Sequence, residues 1–311
     1  MTMTVVESNV FWRLKGIAVF TIFFAHIPYQ GGNIAMQYLY SYLGIVGVPI
    51  FLILSGFFEY SSKSSWKVKV KSLFYPLLFW ATLGYLPEII FGSFTSIGEI
   101  LIGYLKWLYG CGTWLYFVPV LFWSKLLCKS YKTNILIFLT ILSVVSITLT
   151  QFDLITYNEY FTKYTNPFNF LIYYIIGILL RKYGIDYKKR LYVLISIVLV
   201  GFVILFWRSL PSYFNIWCLP FSLSAFVLLN NLASVICFGE DIGKDSYVIY
   251  LSHMVPLGIM LKYINLFLGT SLQILNVPIA FTIITFTIWL FKRVLNILHM
   301  ENISRIIGYR R

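Results

Sequence analysis

Apolar runs long enough to cross a membrane recur along the whole 311-residue chain, and no soluble fold could bury them all. A spanning helix needs about 20 mostly apolar residues, with a working range of about 17–25. Ten segments fit, at roughly 11–29, 38–58, 72–91, 113–128, 134–151, 167–183, 190–207, 214–237, 245–262 and 273–292. Composition agrees: 59% of residues are hydrophobic and 11% charged, against about 25% charged in a soluble domain. A stretch near 95–110 is apolar but broken by Gly98, Glu99, Gly103 and Lys106, which reads as an interfacial or re-entrant helix. The first run is long enough to span, and no small-residue cleavage motif follows it, so it is expected to remain as the first helix. The segments between spans are too short for a soluble domain. The expected fold is all-α: one polytopic membrane domain over residues 1–311, with about ten transmembrane helices.

The charges orient that bundle. A net charge of +13 would point to nucleic acid in a soluble protein. Here the basic residues cluster between apolar runs, where membrane orientation explains them and no nucleic-acid partner is expected. With the N-terminus inside, one face collects Arg13, Lys15, Lys63, Lys67, Lys69, Lys71, Lys125, Lys129 and Lys132. The same face takes Arg181, Lys182, Lys188, Lys189, Arg190, Lys244, Lys292, Arg293, Arg305, Arg310 and Arg311. Only Lys106, Lys163, Arg208 and Lys262 of the 24 basic residues fall outside. This split places both termini in the cytoplasm. The weakest inside loop is the acidic stretch with Glu240, Asp241 and Asp245. Cys111, Cys128, Cys218 and Cys237 show neither metal-ligand nor redox spacing, so they read as packing residues and no metal is expected. No internal repeat is visible, which weighs against transporters built from duplicated halves.

Inside the first helix lie two ionisable residues, Lys15 and His26. Eleven residues give roughly 16 Å of rise and return to within about 20° of the starting face. Both should therefore look into one interior lane, which is costly in a membrane without a functional reason. The plain alternatives are a positive-inside anchor for Lys15 and an aromatic-belt histidine beside Pro28 and Tyr29 for His26. The next span carries Gly44, Gly47, Ser55 and Gly56, small residues that permit close helix approach.

Three stretches then carry a resemblance. They are Trp12-Arg13-Leu14-Lys15 running to Ala25-His26, Gly47-Val48-Pro49-Ile50-Phe51 running to Ser55-Gly56-Phe57-Phe58, and Ser246-Tyr247-Val248-Ile249-Tyr250-Leu251-Ser252-His253. Trp114-Leu115-Tyr116-Phe117-Val118-Pro119 is a looser echo. In content and order these runs resemble the acyltransferase-3 superfamily, integral-membrane O-acyltransferases many of which decorate bacterial surface carbohydrates. The departures are basic: the family usually places arginine where Lys15 stands, and arginines where Lys67, Lys69 and Lys71 precede Tyr75-Pro76. Lysine keeps the charge but loses the bidentate fork. Arg13 is about 200° around the helix from Lys15 and cannot replace it on the same face.

The resemblance implies roles. His26 is the candidate general base, because an imidazole with an ordinary pKa near 6.5 can take a proton from a sugar hydroxyl at working pH. His253 is a second candidate catalytic residue, orienting substrate or holding the thioester carbonyl; a buried histidine bonded to a neighbouring hydroxyl or carbonyl is the plain alternative. Apart from the resemblance, Glu88, after Pro87 and at a depth comparable with His26, is a candidate orienter of that histidine or else an interfacial residue exposed to water. Lys15, Arg13, Lys69 and Lys71 are candidate holders of the donor phosphates. Trp114, Tyr116 and Ser55 are candidate substrate contacts. The implied donor is acetyl-CoA or another acyl-CoA. The implied acceptor is a polysaccharide or lipid-linked sugar, the implied site the bacterial cytoplasmic membrane, and polysaccharide-assembly proteins are conceivable partners. A carrier or flippase for a lipid-linked sugar is the alternative function. A polysaccharide polymerase or ligase would need a large outer loop, for which the sequence offers no segment.

Overall fold

The computed structural model describes residues 5–27, 29, 32–62, 64–187, 189–207, 211–257, 260 and 274–309. Pro28, Lys63, Lys188, Arg208, Lys262, Arg310 and Arg311 lie outside the described residues. Those described form helices and no strands. They are α1 (Val5–His26), α2 (Ile34–Gly44), α3 (Gly47–Ser61), α4 (Trp66–Phe91), α5 (Ile97–Tyr109), a 3-10 turn (Trp114–Tyr116) and α6 (Phe117–Leu127). After these come α7 (Thr133–Gln151), α8 (Leu171–Lys182), α9 (Arg190–Phe206), α10 (Cys218–Val235), α11 (Glu240–Ser252), α12 (Asn276–Ile297) and α13 (Glu301–Ile307).

Among the described residues, five helical stretches, one of them α2 and α3 taken together, are long and apolar enough to cross a membrane. A sixth arises if α5 and the helix after it, bent by 57°, count as one span. The bend separates α5, the segment expected to be interfacial or re-entrant, from the helix after it, and its cause is local. Gly110 ends α5 in the left-handed region at φ 86°, where Cys111 N–H returns to the Lys106 carbonyl at 2.9 Å. A Cβ at Gly110 would collide with the Tyr116 backbone, so a glycine both ends the helix and lets the turn fold back.

At the centre, α1 packs on α2, α3, α10 and α11, while α3 lies along α8. These approaches depend on small residues, as expected where lipid tails give no hydrophobic drive for helix association. A Cβ on Gly56 would run into the Tyr174 carbonyl, and one on Gly177 into that of Ile53. Gly243 sets the same limit between α11 and the Trp12 carbonyl of α1. Gly44 and Gly47 similarly abut Ala25 and Ala18. Around this centre, α7, α9 and α12 turn Phe138, Ile141, Leu194, Val198, Phe286 and Trp289 outward. So broad an apolar exterior on a helical bundle is the surface lipid covers.

Two boundaries depart from the sequence expectation. The span near 38–58 is one stretch that starts earlier, at Ile34, and runs to Ser61, its helix interrupted only at Ile45 and Val46 between Gly44 and Gly47. The helix expected to start at 245 begins at Glu240. Glu240 and Asp241, read as loop, form its first turn, where carboxylates oppose the positive end of the helix dipole. His253 caps α11 in right-handed helical backbone, and helix resumes at Met254.

Candidate active site

Lys15, Lys69, Lys125 and Lys244 gather around a cavity of about 520 Å3 between α1, α3, α4, α6 and α11. Each arrives from a different helix. Lys15 lies over the rings of Trp12 and Phe58, 4.3 and 4.9 Å from their centroids, a cation–π arrangement that holds an ammonium without neutralising it. Lys69 and Lys125 share one carboxylate: Glu59 takes Lys69 Nζ at 2.5 Å on Oε1 and Lys125 Nζ on Oε2. Glu59 is only 7% exposed and lines the cavity, as does Ser55 one turn before it on the same face of α3. Lys244 pairs with Asp241. Hydroxyls of Ser8, Ser62, Ser64, Ser72 and Ser246 complete a basic, hydroxyl-rich wall. Phe51, Phe117, Leu121 and Tyr250 give the cavity its apolar lining.

One helical turn past Tyr250, the two histidines meet. The His26 and His253 rings are 4.9 Å apart, centroid to centroid. His26 is half-buried at the end of α1, whereas His253 has no exposed surface. His253 Nδ1 lies 2.6 Å from the Tyr250 carbonyl. A carbonyl only accepts, so Nδ1 carries the proton and Nε2 keeps a lone pair. That Nε2 is buried and without a hydrogen-bond partner among the described residues. Phe23 and Trp114 flank the ring. A reciprocal latch fixes this corner: Trp114 Nε1 donates to the Leu251 carbonyl at 3.1 Å, and the Tyr250 hydroxyl donates to the Trp114 carbonyl.

A family model for an acyltransferase domain, acyltransferase 3, matches residues 13 to 293. The chain belongs to the acyltransferase-3 family. No curated protein and no solved structure matches it. Family membership and the apolar helices together make it a multi-pass membrane acyltransferase. The matched span takes in both histidines and all four cavity lysines.

Against this geometry the residues singled out in the sequence separate. His26, His253 and Trp114 come together, as do Lys15, Lys69 and Ser55 at the cavity. Four residues sit elsewhere. Glu88 is exposed near the end of α4 and bonds to neither histidine, because α4 packs on α5, α6, α11 and α13 and turns that side outward. Arg13 points away from the cavity, its Nε and Nη2 on Glu240 at 3.0 and 2.5 Å, tying α1 to the start of α11. Lys71, two positions beyond Lys69, lies on the exposed side of α4. Tyr116 is buried against Tyr164 and Phe170. Glu59, Lys125, Lys244 and Tyr250 were not singled out as site residues. Glu59 had a signal: it is the one acidic residue of α3 and lies four positions after Ser55.

Proposed function

We propose that this acyltransferase moves an acyl group, acetyl in the first instance, from acyl-CoA to a hydroxyl of a lipid-linked or surface carbohydrate. The observation that carries the reading is the histidine pair, one turn beyond the inner wall of a lysine-lined cavity. A CoA nucleotide is polyanionic and cannot enter hydrocarbon, so its phosphates belong among Lys15, Lys69, Lys125 and Lys244. The basic face is then the cytoplasmic one, in keeping with the positive-inside rule. The thioester points inward, past Ser55, toward Tyr250 and the histidines.

The acceptor hydroxyl reaches His26 from the opposite side, where that ring is half-buried while His253 is closed off. His26 takes the hydroxyl proton as the oxygen attacks the thioester carbonyl. The tetrahedral intermediate collapses with loss of the C–S bond. The proton then returns to the CoA thiolate, leaving an O-acyl ester and free CoA. His253, its tautomer set by the Tyr250 carbonyl, offers Nε2 as the acceptor that steadies the protonated His26. General-base catalysis of this kind contributes about 10²–10⁴-fold.

The test is the O-acyl content of cell-surface polysaccharide, read by NMR, in a deletion strain carrying wild type or His26→Ala at equal membrane levels. Wild type should restore an O-acyl group and His26→Ala should not. Restoration by both would remove His26 from the chemistry. A change in polysaccharide export without any change in acylation would favour a carrier.

A further inference from the structure

Tyr250 belongs to both halves of the site. Among the described residues lining the basic cavity, it is the one whose ring also packs on His253, 5.8 Å between centroids. It is 3% exposed. Its hydroxyl is engaged by the Trp114 carbonyl, and the Phe117 ring meets it edge-on at 5.1 Å. Phe51 packs on Phe117 in turn, at 6.1 Å. The inner wall of the donor cavity is therefore an aromatic plug, and the histidines lie directly behind it.

We infer that Tyr250 and Phe117 select the acyl group, restricting the donor to short, uncharged acyl thioesters. This deepens the acyl-CoA reading and rests on it. A phosphate-bearing head held at the lysines leaves its acyl end against Phe51, Phe117, Leu121 and Tyr250. That wall has no charged group, and the Tyr250 hydroxyl is already donating, so an acyl carboxylate there would be buried unpaired. Each added methylene must be placed against packed rings, and in a close-fitting pocket one methylene changes selectivity roughly 10- to 200-fold.

For the acyl carbon to reach His26, the Tyr250 ring must swing aside. The bond that fixes the His253 tautomer runs to the Tyr250 backbone carbonyl, so the ring can move without disturbing it. The step itself is unchanged: the C–S bond breaks, the ester C–O bond forms, and the hydroxyl proton ends on the CoA thiol.

The experiment uses the full chain in lipid nanodiscs loaded with lipid-linked carbohydrate extracted from the source membrane as acceptor, and acetyl-, butyryl-, hexanoyl- and succinyl-CoA as donors. It measures CoA thiol release for wild type, Tyr250→Ala, Phe117→Ala and the milder Phe117→Leu, and binding of free CoA by calorimetry. Wild type should prefer acetyl over hexanoyl by at least about tenfold and should reject succinyl. Either alanine variant, or Phe117→Leu to a smaller degree, should raise the hexanoyl-to-acetyl ratio by about tenfold or more while free CoA still binds. Wild type accepting hexanoyl or succinyl as readily as acetyl would overturn the inference, and so would an unchanged ratio in CoA-binding variants. If wild type binds no CoA at all, the donor reading fails and the inference falls with it.

Discussion

The role proposed for His253 rests on one backbone bond. With Nδ1 committed to the Tyr250 carbonyl, only Nε2 is available to chemistry, and it is sealed from solvent beside His26. His253→Ala should therefore lower turnover by about 10²-fold or more with little change in free-CoA binding, which calorimetry beside a thiol-release assay would check. Binding lost along with turnover would mean that His253 supports the cavity instead. Glu59 makes a second residue-scale prediction. Glu59→Gln keeps the volume but removes the charge that holds Lys69 and Lys125 together. Hydrogen bonds to charged groups are worth about 1.5–3 kcal/mol, so thermal unfolding in detergent should shift downward, and the KM for the acyl donor should rise as the two lysines separate. At this scale the spacing of Lys15 and His26, and the motifs that hold Ser55 and His253, pointed to residues that fall at the candidate site. Glu59, Lys125 and Lys244 were not legible in the sequence, because a charge at a helix end looks the same whether it faces a cavity or water. Arg13 and Lys71 misled for that same reason, and the helix turn separates each from its neighbour two positions away.

At the scale of elements, two backbone contacts set the frame. The α3–α8 contact brings Gly56 against Tyr174 and Gly177 against Ile53, while Gly243 seats α11 on α1. Gly243→Leu should wedge α11 from α1 and so separate His253 from His26. Overpacking of this kind costs about 1–3 kcal/mol and sometimes more. The variant should show lowered thermal stability together with lost activity, whereas Gly201→Leu, on α9 with open space around it, should show neither. Equal behaviour of the two variants would contradict this packing. Helix existence could be read from apolar length, and α5 as a segment apart from the long spans from its glycines and charges. The start of α11 could not, since Glu240 and Asp241 look like loop until their place in a first turn is known. The pairing of α3 with α8 was also hidden, because it depends on two glycines far apart in sequence meeting at one point.

On the proposed reading, the whole molecule divides the reaction between two ends of one bundle: a basic cavity at one, the half-buried His26 toward the other, and an aromatic plug between them. That division requires the lysine-rich end to face the cytoplasm. The native cysteines test it. Cys237, exposed at the turn between α10 and α11, should react with a membrane-impermeant maleimide only in inverted vesicles, and Cys111, beyond α5, only in right-side-out ones. Cys128 and Cys218 are buried and should stay unlabelled in both. Labelling of Cys237 from the outside would reverse the orientation. The most direct measurement of the central claim is transfer of isotope-labelled acetyl from acetyl-CoA, supplied to the cytoplasmic face of inverted vesicles, into base-labile carbohydrate ester. It should be run with wild type, His26→Ala and His253→Ala at matched protein levels. Acyl transfer through the histidine pair predicts label in the wild-type product and a loss of at least about 10²-fold in both variants. Undiminished label in both variants would contradict it.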